Sequence, residues 1–562
     1  MYFGSKYFRK NHDPGLPRKI WSRLAGLARP HLAWIISGLL LSLVVTSASL
    51  LLPYVMRQAI DSFIINLKPA FHERIDGINS LAGWFLIIMG GGAVANFGQI
   101  VILEWAGQNM MDSLRRQLFA HTLTLPVKFF DQNPVGRITT RITNDIQNMY
   151  EMFTSVVVTG VNDLIRFSAI LLLLFLFNWR LALAVSLVVP LLFIAIFSFG
   201  RLARRVSRKI RSRLSSINSF IQEHVGAISA LQLFNGEQRA QDKFKMLGNN
   251  YYQAVMAQIN LFGFFMPLIQ LLQSTAIAII IWYGGGEVIK SRLSLGDLTV
   301  FISYIRLFFQ PARELSQKYS IIQSAMASAE RIFQLLDSNP AENSGEEPQT
   351  FSGKIEFSHV FFSYQAGQPV LKDLSFTVHS GETVAIVGAT GAGKSTIINL
   401  IERFYEPDSG SITLDGRQLS EISAAWLRNR ISLVPQDIFI IPGSIKDNII
   451  LDLEISNERL REILHLSRMD KVVADLPKGI DTELGKGLEL SRGQKQLLSI
   501  ARVMARDPQI LILDEATANI DSATEMLVEQ ALNRLMKGRT CILVAHRYST
   551  IRRADNTIVI KK

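Results

Sequence analysis

The sequence predicts an α-helical membrane domain followed by an α/β domain built on a parallel sheet. Three observations carry that reading. Long uncharged apolar runs recur as far as Pro311, each about 20 residues or able to reach that with polar flanks. A Gly-rich stretch at 388–396 sits between an apolar run and a helical pattern. From Lys354 onward, short apolar runs alternate with helical periodicity, as in a parallel-sheet domain.

Size and composition agree. A chain of 562 residues suggests two or more domains. Its 48% hydrophobic content, gathered into uncharged runs, exceeds what an ordinary soluble chain carries. The single cysteine, Cys541, excludes an internal disulfide framework and lies in an apolar run, so a buried, inert thiol is expected.

Taken in order, Lys6, Arg9, Lys10, Arg18, Lys19, Arg23 and Arg29 precede the first apolar run with only Asp13 opposing, and no cleavable signal peptide is expected. Residues 20–27 read as a short amphipathic helix on the bilayer surface, with Trp21 at the interface. Six spans follow, at 32–55, 81–103, 152–177, 181–199, 259–283 and 298–311. Gly90, Gly91 and Gly92 in the second allow close helix approach or a bend, and Pro190 in the fourth predicts a kink. The sixth is the least apolar.

The formal charge of +12 is placed to orient these spans. Arg201, Arg204, Arg205, Arg208, Lys209, Arg211 and Arg213 crowd the end of the fourth. Arg115, Arg116, Lys128, Arg137 and Arg141 follow the second. Those segments should be cytoplasmic, like the N-terminus, as in a bacterial inner-membrane protein. The basic run from Arg201 has no interleaved aromatics and continues a span, which argues against nucleic acid as a partner.

The connections 110–150 and 201–258 are helical in pattern with few turn signals. Spans two to five should therefore continue as long cytoplasmic helices. Short cross-helices are expected near 134–143 and 236–244. Within the spans, Asp163 and Arg166 are spaced to pair on one helix face or to mark a functional pathway. Gln270, Gln273 and Arg306 are embedded too. Residues 1–337 form the membrane domain, 338–353 a polar linker, and 354–562 the second domain, opening on an edge strand.

The second domain carries the chemistry. Gly388-Ala389-Thr390-Gly391-Ala392-Gly393-Lys394-Ser395-Thr396 fits G-x-x-x-x-G-K-[ST], a loop whose backbone N–H groups and helix N-terminus cradle phosphates. Lys394 would reach the β- and γ-phosphates, and the Ser395 hydroxyl would ligate Mg²⁺. The apolar strand 510–513 ends in Asp514, placed to hold the metal, and Glu515, placed to polarise the attacking water. Gln436 follows another strand, with an amide able to touch both metal and water. His546 ends a third strand, where it could donate to the γ-phosphate. Tyr364 is either a base-stacking platform or a partly exposed strand aromatic.

Together Tyr364, the loop 388–396, Gln436, Leu490-Ser491-Arg492-Gly493-Gln494, Asp514-Glu515, Asp521 and His546 resemble the ATP-binding cassette (ABC) exporter family. Phe129-Phe130-Asp131 with Asn133-Pro134-Val135-Gly136-Arg137 resembles that family's first cytoplasmic loop. The resemblance implies a half-transporter, six helices fused to a P-loop NTPase cassette, with ATP and Mg²⁺ as cofactors. It favours base stacking for Tyr364. Two chains would sandwich two ATP molecules, each bound by the loop of one and the signature 490–494 of the other. Cargo would be a small amphiphile, drug-like or lipid-like, met in the lipid bilayer. An ATP-gated channel or regulatory protein is the alternative.

The chain departs from the family pattern at Arg492, where glycine is usual. A bulky residue there stands where close backbone approach is needed. This favours a heterodimer, with this chain supplying the catalytic glutamate, over a homodimer. The segment ahead of the signature is one residue short and has Lys486 where glutamate is frequent. The family pattern also runs on past Lys562 through a hairpin and helix.

Overall fold

The computed structural model describes residues 16–561 apart from 366, 452, 486–488, 515–521 and 546–550. It forms two compact units, Met1–Leu123 with Val135–Ser338, and Thr124–Pro134 with Asn339–Lys562. The boundary between Ser338 and Asn339 falls at the start of the polar linker, but residues 124–134, between the second and third spans, group with the second unit.

The first unit is helical: α1 (Leu16–Ala28), α2 (Leu32–Ala59) and α3 (Phe71–Leu123) precede the loop. After the short helix α4 (Val127–Gln132) of the second unit come α5 (Val135–Thr140), α6 (Ile146–Met152), α7 (Thr159–Phe177), α8 (Trp179–Ser186), α9 (Val188–Gly226), α10 (Ile228–Leu233), α11 (Glu237–Ile279), α12 (Gly285–Ile289) and α13 (Leu295–Leu336). At about 1.5 Å per residue, α3, α9 and α11 each outreach a bilayer core of roughly 30 Å. The long helical extensions beyond the apolar runs follow directly from the unbroken periodicity. Among the described residues, five helical segments are long and apolar enough to cross a membrane: Ile20–Ile64, Phe71–Leu123, Val135–Phe177, Trp179–Gly226 and Glu237–Ile289. The expected sixth falls within α13, a helix of 42 residues that is not among them.

Small residues let the first two spans approach. Gly38 and Ser42 lie on the buried stripe of α2, and a Cβ on Gly38 would stand 2.4 Å from Leu103 of α3. Of the three consecutive glycines, only Gly92 serves close approach, facing the Ala48 methyl. Gly90 and Gly91 face open space and α3 runs through without a break. Pro190 acts as expected: helical winding is interrupted at Leu187, between α8 and α9, because proline cannot donate to the preceding turn. Phe199 stacks on Phe265 at 3.8 Å and Phe167 on Phe308 at 4.3 Å in the apolar core of the unit.

Polar contacts fasten the remaining helices. The Asp163 carboxylate pairs with the Lys318 ammonium of α13, a partner the i, i+3 reading with Arg166 did not foresee. Deeper along the same two helical strands, Asn148 donates to Ser328 at 3.0 Å. Asp145 accepts from Ser328 at 2.8 Å and from Arg331 Nε at 2.9 Å. At the other end of the spans, Arg57 pairs with Asp297 at 2.8 Å, and Asp61 accepts from Ser294 and from the Gly296 N–H. Ser294 and Asp297 form a capping box that starts α13.

Both cross-helices lie upstream of the expected positions. The first is α4, 127–132, rather than 134–143. Asn133 precedes Pro134 and is forced extended, so α4 must end at Gln132 and a new helix begins at Val135. The second is α10, 228–233, rather than 236–244. Asn235 turns through a left-handed φ of 47° and Gly236 then opens α11.

Among the described residues the second unit holds three sheets, the smallest a two-stranded antiparallel pair of β7 (Gly443–Ser444) and β8 (Glu483–Leu484). An antiparallel sheet has the order β2-β1-β4-β5, from β1 (Ile355–Phe362), β2 (Leu371–Val378), β4 (Ser409–Leu414) and β5 (Arg417–Gln418). The strand expected at an edge, β1, is therefore interior, paired on both sides. A parallel sheet runs β11-β3-β10-β9-β6, from β3 (Thr383–Gly388), β6 (Ile431–Val434), β9 (Ile510–Asp514), β10 (Thr540–Val544) and β11 (Asn556–Ile560). The continuous apolar runs of the inner strands β9 and β10 are buried on both faces, as a covered parallel sheet requires, whereas the edge strand β11 is largely exposed. Cys541 is fully buried in β10, and burial pushes its thiol up to about 11, so it is inert as expected. Helices α14 (Lys394–Ile401), α15 (Ala424–Arg430), α16 (Ile445–Ile450), α17 (Asn457–Leu466), α18 (Met469–Ala474), α19 (Arg492–Arg506) and α20 (Ser522–Met536) complete the unit.

Candidate nucleotide site

The strand–loop–helix context the motif demands is present. β3 ends at Gly388, and α14 begins at Lys394. Gly391 and Gly393 adopt φ of 81° and 101°, conformations that an L side chain resists. A Cβ on Gly388 would stand 2.7 Å from the Ile560 carbonyl oxygen of β11, so the loop leaves its strand through a space fit only for glycine. The Lys394 ammonium donates to the carbonyls of Gly388 at 2.7 Å and Ala389 at 3.3 Å. Its charge is thus held inside the curve of the loop while Ser395 stays exposed at the start of α14.

Sheet register brings the other candidates to the same edge. Ile386 pairs with Val544, Val544 with Asp514, and Leu513 with Val434. Asp514 and Gln436, two residues beyond β6, therefore stand at the carboxyl ends of the strands, level with the loop. This is where an open parallel sheet binds ligands. Glu515, Asp521 and His546 lie outside the described residues, as does Lys486.

Tyr364 is 39% exposed, leaving a face open beside a cavity of about 340 Å³. Its hydroxyl accepts from Asn399 of α14 at 3.0 Å, and its ring meets the edges of Phe362 at 4.8 Å and Tyr405 at 5.0 Å. Phe362 and Tyr405 also line that cavity. Sequence reasoning missed Asn399 and Tyr405. Both follow the loop, but only the fold shows that they turn back onto Tyr364.

The signature-like stretch is built as a helix start. Leu490 is buried, and Ser491 caps α19 by accepting from the Gln494 N–H at 3.3 Å while Gln494 accepts from the Ser491 N–H at 2.9 Å. The Ser491 proton remains available to an anion, and the helix N-terminus favours one. Gly493 is buried within the first turn. Arg492 projects half-exposed and reaches Asp437 at 3.9 Å, a solvated pair that contributes little to stability. Arg502, from the far end of α19, donates to the carbonyls of Phe439 and Asn448 at 2.6 Å each and so fixes the signature helix to the segment that follows Gln436.

Ser395, Gln436 and Asp514 offer a hydroxyl, an amide and a carboxylate. These are the hard oxygen donors that Mg²⁺ selects, so the residues present fit that ion. The loop, with its inward lysine and exposed hydroxyl beside a carboxylate strand end, can hold a polyphosphate and assist transfer of its terminal phosphoryl group.

Comparison with known proteins agrees with this geometry. Residues 35–312 match the model of the ABC transporter transmembrane region and residues 371–518 that of the ABC transporter. The chain is 34% identical over 551 residues to the putative ABC transporter ATP-binding protein exp8 of Streptococcus pneumoniae, covering 97% of this chain and 93% of that one. It is 35% identical over 472 residues to the probable multidrug resistance ABC transporter ATP-binding/permease protein YheH of Bacillus subtilis, covering 83% and 70%. It is 30% identical over 548 residues to the ATP-dependent lipid A-core flippase of Syntrophus aciditrophicus, covering 97% and 90%.

Proposed function

The chain belongs to the ABC transporter family, an integral membrane protein that hydrolyses ATP to drive transport, and from that premise we propose that it exports a small amphiphilic cargo as half of a dimer. The observation that carries the proposal is the convergence of Lys394, Ser395, Asp514 and Gln436 on one edge of a parallel sheet, in a chain with several apolar spans. Residues of α2, α7, α9, α11 and α13 share one apolar cluster, which suits a drug-like or lipid-like cargo. The relatives named for multidrug resistance and for lipid A-core flipping support that class.

Each residue has a part in this reading. The backbone of 388–393 and the Lys394 ammonium hold the β- and γ-phosphates, with Thr396 in the first turn of the loop helix. Tyr364 stacks the base. Ser395, Gln436 and Asp514 hold Mg²⁺, which, when bound, draws charge from the β- and γ-phosphates. Glu515 orients the attacking water, and Gln436 and His546 complete the contacts to water and γ-phosphate. Leu490, Ser491, Arg492, Gly493 and Gln494, followed by Asp521, form the face offered to the partner's nucleotide. Six spans, with α13 as the last, place the N-terminus and the cassette in the cytoplasm of a bacterial inner membrane. The partner is a second half-transporter, with a heterodimer favoured by Arg492.

Inside-out vesicles loaded by ATP test the proposal with a fluorescent lipid and a cationic dye as trial cargoes. Uphill accumulation that stops with Lys394→Ala, together with at least about a hundredfold loss of ATP hydrolysis, is the expected result. Accumulation or hydrolysis unaffected by that substitution would refute it, and flux that only runs downhill would indicate a channel.

A further inference from the structure

Tyr405 stands where the base platform meets the first cytoplasmic loop, and the phosphate-binding chemistry does not use it. The residue is 9% exposed. One edge of the ring lies against Tyr364, centroids 5.0 Å apart, and another against Phe362 at 5.6 Å. Its hydroxyl donates to the carboxylate of Asp131, in the short helix α4. Burial pushes the phenol's ionisation up and Asp131 adds to the shift, so the hydroxyl keeps its proton and stays a donor.

The backbone that carries Tyr405 is pinned. Arg403 turns through φ 53°. Arg428 donates to the carbonyls of Glu402 and Arg403 at 3.1 Å each and lies over the Phe404 ring at 4.7 Å. The Arg403 guanidinium itself donates to the Ile422 carbonyl. With the main chain fixed, a change at Tyr364 reaches Tyr405 through ring contacts, directly and by way of Phe362, and leaves it through the hydroxyl.

We propose that Tyr405 is a positioning residue that links occupancy of the Tyr364 platform by a nucleotide base to the placement of helix α4. The link rests on the reading of Tyr364 as the base platform. It makes the loop respond to the base as well as to the phosphates, because the observed side-chain contacts of Tyr405 run to Tyr364, Phe362 and Asp131. A merely structural role for the Tyr405–Asp131 bond would hold α4 equally with any ligand.

Hydrogen exchange of the full chain in nanodiscs separates these cases. The non-hydrolysable analogue AMP-PNP should slow exchange at 127–132 about tenfold, the scale of one charge-assisted hydrogen bond. Inorganic tripolyphosphate, which has no base, should leave those amides unchanged. Tyr405→Phe and Asp131→Ala should each erase the AMP-PNP effect without lowering its affinity, and Asp131→Asn should retain part of it. The proposal is overturned if both erasing variants keep the AMP-PNP protection, or if tripolyphosphate reproduces it. Tyr364→Ala is the separate check. Unchanged AMP-PNP affinity in that variant overturns the platform reading itself, whereas weakened affinity with intact protection overturns only the link.

Discussion

Glu402, at the end of the phosphate-loop helix, has its carboxyl pushed up to about 7 by burial, with Arg428 opposing the shift. In the unfolded chain the same group ionises near 4.5. Below that value both states hold the proton and the contribution to stability is fully present. As pH rises the unfolded chain loses its proton first, so the contribution declines until the folded group also ionises near 7. Thermal unfolding of the purified chain at about pH 5 and about pH 8 checks this. The wild-type midpoint should fall across that interval, and Glu402→Gln should reduce the fall, by an amount on the order of 2 kcal/mol. At this scale the phosphate loop is legible because its residues are consecutive and its glycines meet a local steric demand. The Tyr405–Asp131 bond was not, since 274 positions separate its partners and neither belongs to a periodic pattern.

Gly296, in the first turn of α13, shows how tightly one helix end is set. A Cβ there would stand 2.4 Å from the Asp61 carboxylate, which accepts the Gly296 N–H at 2.9 Å. Gly296→Ala must displace that carboxylate and loosen the capping of α13. The cost should be about 1–3 kcal/mol, read as a melting midpoint lowered by several degrees in detergent. Gly285→Ala is the control, because its Cβ would meet nothing within 4 Å. Helix existence and length were readable from periodicity, and the interruption ahead of Pro190 from the chemistry of proline. The cross-helices were misplaced because turn residues mark where a helix stops, and the reading assigned them to the helix that starts there. The interior position of β1 needed pairing partners that no local pattern reveals.

For the whole molecule, composition disclosed a membrane half and a cassette half because uncharged runs and α/β alternation do not mix along the chain. It also marked the sixth span as the weakest, and that is the one absent from the segments long and apolar enough to cross a membrane among the described residues, but it did not disclose how the helices pair. Assembly gives the last prediction. Arg492 would stand in both sites of a homodimer but in one of a heterodimer, so the purified chain alone should hydrolyse ATP slowly. Arg492→Gly should raise that rate roughly tenfold, about 1.4 kcal/mol of barrier, as measured in nanodiscs. Fast, cooperative turnover by the unaltered chain alone would count against pairing with a different half. Asp163 with Lys318, Asn148 with Ser328, and Asp145 with Arg331 lie in sequence along one seam against α13. Sliding by a single turn, about 5.4 Å, would strand every one of these groups at once. The two strands of that seam are therefore keyed like a ratchet with one tooth setting: they can tilt or swing as a pair, but any force applied at one end arrives at the other without slip.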